Sequence, residues 1–270
     1  MFDFAHGDTG HVSAESLLSA GAIIAAGVCA VGYVVRSSAL RARGVHWPLS
    51  LDAAFVGGCV ALAAGAAWSL PAMPFTGHMA QHLLVGMVAP FLIVVGRPVT
   101  LLLRTFRVGS LRTRVLRVLH SRAARLAVFP PVAAAASIVG IWALYRTPLF
   151  AATHDHPWLH AAVHVHLVVS GTLFTAAVCQ LDPVRRRYGL TLRAATLIAT
   201  GAAHAVLAKS LYAWPPPSAV IARFDLQLGA QLMYYGGDAV EIAIAVVLAV
   251  SWYAAGGRAF ARQQRRTAAG

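Results

Sequence analysis

Charged side chains are scarce in this chain. Of 270 residues, 11% are Asp, Glu, Lys or Arg, against 59% hydrophobic ones. A domain of that size dissolved in water needs more polar cover, and a mean hydropathy of +0.68 excludes the soluble classes. Lysine is nearly absent, with Lys209 the single one. A retinal protein needs a Schiff-base lysine on its last helix, and the last apolar stretch here has none. Three cysteines, Cys29, Cys59 and Cys179, form no CxxC or CxC pair. Neither a disulfide framework nor a thiolate carrier site is indicated. Acidic residues number 9 against 22 basic ones, a net charge of +13. The basic residues are interleaved with apolar stretches rather than gathered on a module, so their pattern reads as membrane topology and not as a nucleic-acid surface.

What the chain has is apolar length. Stretches near the ~20 residues that cross a ~30 Å hydrocarbon core fall at 17–35, 49–70, 78–95, 126–145, 158–181, 190–212 and 227–253. The expected fold is all-α: a polytopic membrane protein, a seven-transmembrane-helix bundle. The first stretch does not read as a cleaved signal, because Asp3, Asp8 and Glu15 precede it instead of a basic region. Arginine sets the orientation. Arg36, Arg41 and Arg43 follow the first stretch, eight arginines from Arg97 to Arg125 follow the third, and Arg185, Arg186, Arg187 and Arg193 follow the fifth. Arg258, Arg262, Arg265 and Arg266 follow the seventh, whereas the intervening loops hold little beyond Arg146 and Arg223. Alternate connections are therefore basic, which predicts the N-terminus outside and the C-terminus cytoplasmic, in a multi-pass protein of the inner membrane. Three regions are expected: an external segment 1–16, the seven-helix domain 17–256 and a basic tail 257–270.

Histidine is the polar residue that recurs at one depth. His78 and His82 open the third span, His160 and His164 open the fifth, and His204 lies about two turns from the outer end of the sixth. Residues four apart share a helix face, so each pair projects two imidazoles together. Buried, uncompensated polar groups are costly, and ionisable groups inside a membrane are functional sites by default. His78, His82, His160, His164 and His204 are accordingly the candidate metal ligands. Zinc, copper, iron and nickel all suit imidazole, and haem can be ligated axially by histidines on facing helices. His154, His156 and His166 lie nearby and His6 and His11 on the N-terminal segment; His6, His11, His154 and His156 read as interfacial polar residues or as hydrogen bonds to a neighbouring helix, and His46 and His120 fall on the cytoplasmic side.

The seventh span carries Asp238 and Glu241, three residues apart on one face and near the expected midplane. They suit a helix-packing hydrogen bond, a proton relay or an auxiliary ligand, and Tyr234, Tyr235, Asp225 and Gln227 stand where they could close an outer site. The methionines near these elements, Met73, Met79, Met87 and Met233, read as packing residues.

Several stretches resemble one family. They are His78-Met79-Ala80-Gln81-His82-Leu83-Leu84, Ala89-Pro90 with the later Gly96-Arg97-Pro98, Leu101-Leu102-Leu103-Arg104, and His160 to His164 leading to Ser170-Gly171 and Phe174. His204 and Asp225-Leu226-Gln227-Leu228-Gly229 complete the set. Over 49–253 the chain resembles the seven-helix CtaG-type cytochrome c oxidase assembly factors of bacterial membranes. The resemblance implies a non-enzymatic role in assembling a haem-copper oxidase, with copper as the expected metal. Its implied partners are the oxidase catalytic subunit and an external copper donor. The residues alone leave zinc and haem open, and with them a membrane cytochrome or a metal or proton transporter.

Overall fold

The computed structural model describes residues 14–68, 70–106, 109–183 and 186–267, and every regular element among them is helical. Helix α1 spans Ala14–Ala42 and α2 Leu49–Ala67. The third span is a composite of α3 (Pro74–Leu83), a π-helical turn at Leu84–Val88 and α4 (Ala89–Val95). Three short helices follow, α5 (Pro98–Thr105), α6 (Ser110–Leu119) and α7 (Arg122–Ala127). Then come α8 (Pro130–Arg146), α9 (Leu149–Asp155), α10 (Pro157–Cys179), α11 (Leu190–Ala213) and α12 (Arg223–Thr267).

Proline punctuates this order. Helices α3, α5, α8 and α10 each carry Pro in their first turn, where the missing N–H would have no helical partner anyway. Arg97, directly before Pro98, sits in the left-handed region at φ 53 and turns the chain out of the third span. Pro90 acts inside a span. It lacks the N–H that would bond Gly86, and the backbone widens there into a π turn in which the Ala89 N–H donates to the Leu84 carbonyl.

Among the described residues six stretches are long and apolar enough to cross a membrane, and a seventh if α8 and α9, bent by 75°, count as one span. The chain is thus an all-α polytopic membrane protein with six or seven such helices. Ile24, Val28, Val139, Ile198 and Ile242 stand more than half exposed on these helices, an apolar surface that lipid covers without cost. Several expected boundaries shift, with α1 running on to Ala42 and α12 to Thr267, past the expected ends at 35 and 253. The third span starts four residues earlier, at Pro74. The fourth starts at Pro130 instead of residue 126 and breaks near Pro148. The 97–125 connection, expected as a loop, contains α5, α6 and α7.

Two carboxylates tie the bundle together at its ends by the same device. Asp225 of α12 accepts from the N–H groups of Phe75 (2.9 Å) and Thr76 (2.8 Å) and from the Thr76 hydroxyl (2.6 Å). Asp182, after α10, accepts from the N–H groups of Val99 (3.3 Å) and Thr100 (2.8 Å) and from the Thr100 hydroxyl (2.6 Å). Each caps in trans a helix start of the form Pro-X-Thr, supplying an acceptor to otherwise orphaned donors. Burial pushes the Asp182 carboxyl up, and the hydrogen bonds from Thr100 and Val99 oppose that shift.

These contacts sort the loops. Tyr33 donates to the Gly96 carbonyl (2.6 Å), Arg36 reaches Thr105 (3.5 Å), Asp182 holds α5, and Phe129 packs on Tyr188. The arginine-rich connections therefore share one end of the bundle. At the other end lie the starts of α3, α10 and α12, the Arg146–Ser210 hydrogen bond and the Phe150 ring against His78.

Candidate functional site

His82 and His204 are brought together by the third span and α11. Their rings are nearly parallel, 16° apart, with centroids 6.2 Å from each other. Both residues are buried, at 3% exposure each. His82 lies about 12 Å along the axis from Pro74 and His204 about 14 Å from Ala213, so helices that run in opposite directions deliver them to one level.

The surroundings of the pair leave ring nitrogens without partners. Neither Nδ1 nor Nε2 of His82 has a hydrogen bond, and Nε2 of His204 has none. Nδ1 of His204 lies 3.8 Å from Glu241 Oε1 on α12. Around 90% or more of buried polar groups in folded proteins are satisfied, so three unpartnered imidazole nitrogens at one place mark a site where something else binds. A cavity of about 40 Å³ touches both rings and Glu241 and is also lined by Ser170, Thr175 and Thr200. That is room for one or two waters or a single ion.

Glycines shape the pocket. A Cβ on Gly237 would strike the His204 ring, and one on Gly201 would strike the Glu241 carboxylate. On the far wall a Cβ on Gly171 would overlap the Gly86 carbonyl oxygen, to which Pro90 has no N–H to donate. The close approach of α10 to the π turn is therefore possible only without a side chain at position 171. π turns inside α-helices recur at functional sites, and this one begins two residues after His82.

The other expected ligands, His78, His160 and His164, are not among the residues that line this cavity. His78 Nε2 pairs with the buried Tyr145 hydroxyl at 3.0 Å, and its ring meets Phe150 edge-on at 5.0 Å. His160 and His164 face each other on α10 with centroids 4.3 Å apart, and His164 Nδ1 bonds the His160 carbonyl at 2.9 Å. His154, His160, His164 and His82 lie within electrostatic range of His78, as His164 and His204 do of His82. The five histidines thus form a chain of neighbours and not one cluster. Among the described residues no three His, Cys, Asp or Glu side chains converge as a metal-binding group.

Of the remaining expectations, His154 bonds the Phe150 carbonyl at 3.0 Å and His166 sits in the notch of Gly140. Asp225 closes this end of the bundle as a cap for α3, and Lys209 lies over the Tyr234 ring at 5.2 Å. His6 and His11 lie outside the described residues. Tyr145 is a functional neighbour that nothing in the sequence distinguishes from Trp142, the other aromatic near the end of α8.

The architecture and this site define a helical membrane protein with paired histidines buried toward one end of its bundle. Residues 31–255 match the family described as cytochrome c oxidase caa3 assembly factor (Caa3_CtaG), and the chain belongs to it. Assembly of that oxidase is the general role of the family. Among curated proteins, the uncharacterized proteins Mb0105 of Mycobacterium bovis and MT0111 of Mycobacterium tuberculosis are each 30% identical to the chain over 94% of its length. Uncharacterized protein ML1998 of Mycobacterium leprae is 27% identical over the same share. The chain spans 40% of the length of these relatives. No solved structure matches significantly.

Proposed function

We propose that this chain accepts copper as cargo at His82 and His204 and passes it to the copper centre of a haem-copper oxidase during assembly. The observation that carries the reading is the buried imidazole pair with unpartnered nitrogens, set against a cavity the size of an ion. Imidazole is a competent copper ligand, and these nitrogens have no hydrogen bond within the protein to give up before they bind. Glu241, 3.8 Å from His204 Nδ1, is placed to orient that ring and to balance the cation's charge.

His78, His160 and His164 serve as the approach to that pair, each within electrostatic range of the next. The direction of approach follows from charge. The arginine-rich end is assigned to the cytoplasm, which puts the histidine end outside, with the N-terminus outside and the C-terminus in. Copper then arrives from the external side, and ligand exchange with a partner in the membrane plane completes delivery. The catalytic subunit of the oxidase is that partner, in the inner membrane.

Elemental analysis of the purified protein beside its visible spectrum tests this. Copper close to one equivalent is expected, falling at least several-fold in the His82→Ala/His204→Ala variant. Unchanged copper in that variant, or an intense Soret band from haem in the wild type, would overturn the assignment.

A further inference from the structure

At the arginine-rich end, remote from the histidines, Arg122, Arg125, Leu126, Phe129, Arg186 and Tyr188 line an open groove of about 810 Å³. Its depth in the membrane is fixed by two helix starts. Phe129 directly precedes α8, and Tyr188 comes two residues before α11. Aromatic rings at the ends of spans occupy the headgroup level. The two rings pack 5.3 Å apart, and the Arg186 guanidinium lies 5.7 Å from the Tyr188 ring.

Among the described residues no carboxylate compensates the charge in this groove. Arg122 and Arg125 are three apart on α7 and project to the same side. Among the described residues the one ion pair between fixed charges joins Arg41 to Asp52, and Glu241 stands beside His204, so none of the three guanidinia meets a described carboxylate. Asp182, the acid in the same connection as Arg186, is engaged with Thr100. Beside the cations stands an apolar wall, with Leu126 60% exposed.

From this combination we infer that the groove binds the phosphodiester headgroup of an anionic phospholipid. Guanidinium pairs with phosphate oxygens in two-point geometry, and the groove offers three such groups. Leu126 and the Phe129 ring take the first methylenes of the acyl chains. A free phosphate would use the arginines but leave the apolar wall without purpose. The inference stands apart from the copper reading, since it concerns other residues at the opposite end of the bundle.

Native mass spectrometry of the full-length protein, delipidated in detergent and titrated with phosphatidylglycerol or phosphatidylcholine, tests it. Preferential retention of phosphatidylglycerol by about 10-fold is expected, in line with the attraction of a few clustered basic residues. The preference should vanish in Arg125→Gln/Arg186→Gln and persist in Arg114→Gln/Arg117→Gln, which removes equal charge from α6. Equal loss in both variants would reduce the effect to bulk charge and overturn the site, as would retention in the first. Displacement of the lipid by millimolar inorganic phosphate would also overturn it in favour of a free-phosphate site. Should the groove variant fail to fold, photo-crosslinking of phosphatidylglycerol to the wild type decides: adducts must map to 122–129 or 186–188, and adducts elsewhere overturn it.

Discussion

The rings of His82 and His204 lie 6.2 Å apart and within 16° of parallel, on helices that meet from opposite directions. Each ring gives up hydration on burial, and at His82 no hydrogen bond replaces it. Glu241 approaches the Nδ1 nitrogen of His204, whereas no hydrogen bond reaches either ring nitrogen of His82. The geometry leaves His82 as a free donor and His204 as a donor steered by a carboxylate.

Glu241→Gln should therefore weaken copper binding without abolishing it. Loss of a carboxylate that orients a ligating histidine costs about 10- to 100-fold in metal affinity. Competition titration against a copper chelator measures the change. An affinity within twofold of wild type would remove Glu241 from the site.

His160→Ala/His164→Ala should act on rate. These residues meet each other at 4.3 Å outside the lining of the cavity, so the variant is expected to reach the wild-type copper content several-fold more slowly. Stopped-flow loading followed by elemental analysis separates the two quantities. Equal loading rates, or a drop in final content matching that of the His82→Ala/His204→Ala variant, would contradict the division of roles.

Asp225→Ala should destabilise the histidine end of the bundle. The carboxylate takes three hydrogen bonds from Phe75 and Thr76, and cap losses cost roughly 1 to 2 kcal/mol, more when buried donors are orphaned. Thermal unfolding can be followed by reaction of the buried Cys59 and Cys179 with a thiol dye, in a Cys29→Ser background that silences the exposed cysteine. Asp225→Asn should fall between the two, because its amide oxygen still accepts. A melting point for Asp225→Ala equal to wild type would show that water replaces the cap.

Much of this was legible before any coordinates. Apolar runs of bilayer length announce spans because backbone polar groups in lipid must be satisfied within the helix, and the i, i+4 spacing announced that His78 and His82 share a face. The choice between partners was not legible. His82 finds His204, 122 residues on, and not His160 or His164; that selection depends on which helices pack together, through glycine notches at Gly171, Gly201 and Gly237 that look like ordinary small residues in the chain. The trans caps escaped for the same reason, since Asp225 and Thr76 are 149 residues apart. Pro90 was visible, but its consequence, a π turn aimed at Gly171, appears only when both helices are present.

Gly171→Ala follows from that last contact. The added methyl would overlap the Gly86 carbonyl oxygen and press on Pro90, both fixed by the π turn, so neither can yield as a flexible side chain would. Overpacking of this kind costs about 1 to 3 kcal/mol. Because the contact lies beside the cavity, the strain should also displace the turn that follows His82 and lower copper occupancy. Gly27→Ala is the matched comparison: it sits mid-helix in α1 with nothing within 4 Å of a new Cβ, and replacing a helical glycine by alanine should leave stability unchanged or raise it by up to about 1 kcal/mol. Opposite signs in the thiol-dye melt are the expected result. Equal melting points for the two variants would mean that α10 does not approach the third span as closely as the Gly86–Gly171 contact requires.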